Sequence, residues 1–135
     1  MNLYRTAGLA LALLCISTSA TAAASKFALE YRVERAATAR LSVATCLDTA
    51  KRASTAIGYQ PAVENHYPGQ LAVFASGPAA GGSSLTVYCI AVDQKTAFVV
   101  QAIDYSRPNS PAAARVADRV HSALMAAAGG RVAGK

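Results

Sequence analysis

The hydrophobic pattern is densest between Ser83 and Tyr105, SSLTVYCIAVDQKTAFVVQAIDY, where two apolar, β-rich runs are joined by the polar break Asp93-Gln94-Lys95. This predicts a long central hairpin. An even-length turn at Asp93 to Thr96 sets Cys89 opposite Val100 and Val87 opposite Ala102, with Leu85 and Ala91 on the same face. Tyr88, Ile90, Val92, Val99 and Ile103 then share the other face with Thr86 and Gln101. Both faces are substantially apolar, so the second one needs a cover of its own: a loop, a terminal segment, a ligand or another subunit.

Before the hairpin, Phe27, Leu29, Tyr31 and Val33 alternate with Ala28, Glu30, Arg32 and Glu34. That is the period of a strand, and the expectation is that the apolar set faces the core while the charged set is wet. Between Ser42 and Ile57 the period becomes helical, with Val43, Cys46, Leu47, Ala50, Ala53 and Ile57 on one stripe and Asp48, Lys51 and Arg52 opposite. Ser42 is placed to cap this helix and Gly58 to end it. Two short strands, Tyr59 to Tyr67 and Gln70 to Ser76, flank the turn Pro68-Gly69. After the hairpin, Ser110-Pro111 starts a second helix whose buried stripe is Ala113, Val116, Ala117, Val120, Leu124 and Ala127; Gly129-Gly130 ends it.

The order β-α-β-β-β-β-α fits a two-layer α+β fold. Its five-stranded, mainly antiparallel sheet carries both helices on one face, with the first strand beside the fifth. Cys46 on the first helix and Cys89 in the hairpin are expected to form a disulfide that joins the layers.

The N-terminus changes the setting. One arginine in Met1–Thr6, an apolar run from Ala7 to Ile16 and a small-residue stretch after it follow the plan of a secretory signal peptide, with residues 1–22 removed, or removal as late as residue 24. The apolar run is too short for a retained transmembrane anchor. Cys15 follows Leu13-Leu14, where a lipid-attachment signal calls for a small residue, and is assigned to the discarded segment. Residues 23–130 are expected to form one domain and 131–135 a loose tail.

Composition adds 53% hydrophobic and 15% charged residues, which excludes wholesale disorder. Loss of residues 1–22 removes Arg5 and no acid, taking the formal net charge from +6 to +5. The cations are scattered rather than run together, so they read as solvated surface charge, and export argues against nucleic acid as a partner. Heavy use of alanine and the excess of arginine over lysine suggest a bacterial source and a periplasmic destination, with release from the cell as the alternative.

Candidate chemistry is sparse. Glu64 and His66, two apart on a strand, share a face and are a possible acid/base or ligand pair. Asp104, Tyr105 and Arg107 at the hairpin's end are a second set of possible ligand contacts. Neither set has a recognisable nucleophile, two histidines are too few for a metal site, and no Cys-x-x-Cys motif is present, so no catalytic residue, metal or cofactor is assigned. The expectation is a small exported binding or protein-interaction module acting through Tyr88, Ile90, Val99 and Ile103. Its partner would be an envelope protein, a small ligand or a second copy. An inhibitor or immunity protein against a toxin or wall hydrolase, and a small enzyme of unrecognised type, are the alternatives.

Overall fold

A computed structural model describes residues 26–129. The signal segment, the tail beyond Gly130 and Cys15 lie outside the described residues. The elements are β1 (Ala28–Ala37), α1 (Val43–Ala56), β2 (Tyr59–Tyr67), β3 (Leu71–Pro78), β4 (Ser83–Val92), β5 (Lys95–Asp104) and α2 (Pro111–Ala127). The five strands form one sheet in the order β1-β5-β4-β3-β2, every neighbouring pair antiparallel. This is the expected α+β architecture.

Local chemistry sets the helix starts. Ser42 Oγ accepts from the Thr45 amide at 3.0 Å, and Ser110 Oγ accepts from the Ala112 amide at 3.2 Å, with Pro111 at the first helical position. Gly58, at φ +81, takes the left-handed conformation that turns the chain from α1 into β2. β1 ends at the β4–β5 turn end of the sheet and β2 starts at the opposite end, so α1, about 21 Å long at roughly 1.5 Å per residue, returns the chain along the length of the strands.

Both helices cover the same face, α1 over β2, β3 and β4 and α2 over β1 and β5. The core between the layers is built on Phe74, Phe98, Leu85, Val87 and Val100 from the sheet and Leu47, Ala50, Ala117, Val120 and Leu124 from the helices. Cys46 and Cys89 are joined by a disulfide, with Cα atoms 6.1 Å apart, which fastens α1 to the central strand. Two turns further along α1, Ser54 donates to Ser76 of β3 at 2.7 Å, a buried polar link between the layers.

Three expectations need correction. The hairpin turn is tighter than an even turn at Asp93 to Thr96, since Val92 pairs with Lys95 and only Asp93 and Gln94 lie between the strands. Asp93 adopts φ +54, as two-residue hairpin loops require. Cys89 therefore faces Phe98, and Val87 faces Val100; the shift is two residues, so each side chain keeps its face. In α2, Ala127 is exposed and the half-buried Val116 lies at the margin of the stripe.

The third correction concerns β1, whose faces are inverted. Ala28 is buried on the helix side and Arg32 lies under α2, while Leu29, Tyr31 and Val33 are exposed on the opposite side. At the two edge strands the helix-side positions are largely charged or polar, Glu30, Arg32 and Glu34 on β1 between Ala28 and Ala36, and Glu64 and His66 on β2. These positions meet the helices through ion pairs. Arg32 bonds Asp118 of α2 at 2.7 Å and Glu30 at 2.9 Å, and Lys51 of α1 bonds Glu64 at 2.8 Å. The Arg32 guanidinium is held above its ordinary value by Glu30 and then Asp118.

Candidate interaction face

The alternation of each strand and the registers fix what the helix-free face presents. Across the sheet, Val33, Val99, Tyr88, Val73 and Asn65 form a central row, one residue from each strand. The row towards the β4 start holds Tyr31, Gln101, Thr86, Ala75 and Val63. The row towards the β4–β5 turn holds Arg35, Ala97, Ile90, Leu71 and Tyr67. Leu29, Ile103 and Ser84 stand beyond the second of these rows.

No element of the described chain covers this face. Val33 is 66% exposed, Tyr67 55%, Tyr31 50% and Val63 46%. Tyr88, Ile90, Val99 and Ile103 are half-buried, shielded only by one another and by flanking strands. These four expected residues are brought together: Tyr88 and Val99 are direct cross-strand partners, Ile90 lies one row below and Ile103 two rows above. Polar atoms on the face have local partners. Gln101 Nε2 donates to the Tyr31 hydroxyl at 3.2 Å, and the Ser84 and Tyr105 hydroxyls lie 3.3 Å apart at the upper rim. Charge is confined to one end, where Arg35, Lys95 and Asp93 line a depression of about 560 Å³ with Val92 and Ala97.

The other candidate residues are dispersed. Glu64 and His66 do share a face of β2, on the helix side, where Glu64 is engaged by Lys51 and His66 is exposed. Asp104, Tyr105 and Arg107 point to different neighbours. Asp104 turns inward, and its Oδ1 accepts from the Ser106 hydroxyl at 2.5 Å and the Ser106 amide at 2.8 Å. The Ser106 hydroxyl, then that of Ser110, then the Ser106 amide and the nearby Arg107 charge hold its carboxyl down at about 2. Asp104 thus organises the turn that leads into α2. Tyr105 reaches to Ser84 at the rim of the open face, and Arg107 is exposed in the connection.

Sequence reasoning missed Leu29, Tyr31 and Val33 as members of this face, as well as Val63, Tyr67, Leu71 and Val73. Alternation shows that a strand has two unlike sides and does not say which one the helices cover. A usable signal was the second apolar side of the hairpin, which an edge strand could extend as readily as the first.

A family of unknown function, DUF6180, matches residues 26–129. The chain belongs to the DUF6180 family. The match runs from just before β1 to just past α2, so the family's shared unit includes both disulfide cysteines and the whole open face. No curated protein matches the chain. Among the described residues, no helix is long and apolar enough to cross a membrane.

Proposed function

We propose that this DUF6180 chain is a non-enzymatic binding module of the bacterial envelope, exported by its first 22 residues, and that its ligand is a polypeptide surface received on the open sheet face. The observation that carries the reading is the sheet's asymmetry. One face is closed by two helices, a disulfide and flanking ion pairs, while the other shows five adjoining strands of apolar side chains with no cover among the described residues. A continuous patch of this kind is uncommon on a free-standing surface and is typical of one that docks. Dispersal of Glu64 and His66 on one side of the molecule and of Asp104, Tyr105 and Arg107 at its end favours binding over catalysis.

The test is site-specific photo-cross-linking in the envelope of expressing cells, with a photoreactive phenylalanine at Tyr88 and, as a control on the helix side, at Arg119. The reading expects a discrete polypeptide adduct from position 88 that Val99→Lys abolishes, and none from position 119. Adducts only from the helix side, or adducts at 88 that are indifferent to Val99→Lys, would overturn it. Intact mass of the accumulated protein tests removal of residues 1–22.

A further inference from the structure

We infer that the occupant of the open face is a second copy of this chain, seated face to face about a two-fold axis that runs along β4. This rests on the reading of that face as an interaction surface and names its partner.

Four observations converge. The edges of the sheet are protected against strand addition, β1 by Glu30, Arg32, Glu34 and Arg35, and β2 by Pro61 and the irregularity between Pro61 and Val63. Association is thereby directed to the face. The size of the face also suits a dimer. Five strands at about 4.8 Å and about 30 Å of strand length give on the order of 700 Å² per copy, against about 800 Å² per partner in a standard stable interface.

The strand order is symmetric about its middle member. With β4 central, an axis along it lays β4 on β4, β5 on β3 and β1 on β2 of the second copy, and keeps the rows in register to within the usual twist of about 30° between packed sheets. Finally, the two corners that this operation brings together are complementary. Arg35 and Ala97 border the depression of about 560 Å³ at the β1 side. At the same end, on the β2 side, Tyr67 and Leu71 stand opposite them in the second copy, with Tyr67 55% exposed. The two-fold sets Arg35 against a tyrosine ring rather than against another cation, the arrangement of a cation–π contact. The contact occurs twice, and an isologous interface of this type closes at two copies.

The test is sedimentation velocity from about 1 to 100 μM on the protein as it accumulates from the full gene, its N-terminus defined by intact mass. The wild type is expected to sediment as a dimer. Val99→Lys, which puts an unpaired charge at the centre, is expected to raise the dissociation constant by at least about 100-fold. Tyr67→Ala is expected to weaken association by about tenfold through the corner contact, and Arg119→Ala, on the helix side, to leave it unchanged. Far-UV circular dichroism checks that each variant is folded. A wild type monomeric at 100 μM, or a dimer indifferent to Val99→Lys, overturns the second-copy assignment. In that case a photo-adduct from position 88 to a different polypeptide, lost in Val99→Lys, leaves the open-face reading standing, and absence of any such adduct removes both.

Discussion

Reducing the Cys46–Cys89 bond removes the cross-link while both sulfurs stay in the molecule. The bond closes a loop with a sequence separation of 43 residues, and in the chain-entropy picture the loss of that constraint from the unfolded ensemble lowers stability by about 4 kcal/mol. With a urea dependence of about 1.5 kcal/mol per molar for a chain of this size, the unfolding midpoint should fall by about 2.7 M. The assay is urea unfolding followed by far-UV circular dichroism with and without a phosphine reductant, alongside the double variant Cys46→Ala, Cys89→Ala. The variant separates tether from packing. Both cysteines are at most 1% exposed, so reduction also forces two thiols apart in a filled core, a strain that paired alanines do not have. A midpoint shift below about 0.5 M on reduction would refute the tether account. A large shift on reduction together with a near-normal alanine variant would assign the loss to thiol crowding instead.

Ser54→Ala leaves the buried Ser76 hydroxyl without its donor and should cost about 1–2 kcal/mol, part of which the double variant with Ser76→Ala restores; chemical denaturation of the four-member cycle measures the coupling. Thr96 is fully buried, and its Oγ1 has no hydrogen-bond partner among the described residues, so Thr96→Val should raise stability by about 1 kcal/mol in the same assay. The Asp104 carboxyl is held at about 2 against an ordinary 3.8, so its contribution is fully present above pH 4 and is lost as pH falls towards 2. Carboxyl carbon NMR should place its midpoint near 2, and Asp104→Asn should flatten the acid side of the stability profile; a midpoint near 4 would contradict the hydrogen-bonded turn.

Periodicity and punctuation settle the elements of this protein, and they do so locally. The helical spacing after Ser42, the cap at Ser110-Pro111 and the breaks at Gly58 and Pro68-Gly69 each depend on residues a turn or less apart, so they are legible without knowledge of what the chain packs against. The Cys46–Cys89 pairing is legible by count, since these are the two cysteines left once the segment holding Cys15 is set aside.

The orientation of β1 was a tertiary decision. Its apolar side chains could complete either apolar face of the hairpin, beside Val100 and Ala102 or beside Val99 and Ile103, and both choices satisfy the alternation. The contact with α2 decides between them, because an arginine at the sheet margin can run its stem beneath α2 and still place its guanidinium on Asp118 in water's reach. The consequence reaches the candidate site: Leu29, Tyr31 and Val33 leave the core and extend the open face by a strand. Tight closure by Asp93 and Gln94 likewise moved the hairpin register by two residues while preserving its faces. What the sequence by itself determined is therefore which residues share a side of each element. Which side is covered, and so which surface remains to meet a partner, depended on how the helices pack on the sheet and on the ion pairs at its margins, contacts between residues as far apart in the chain as Arg32 and Asp118.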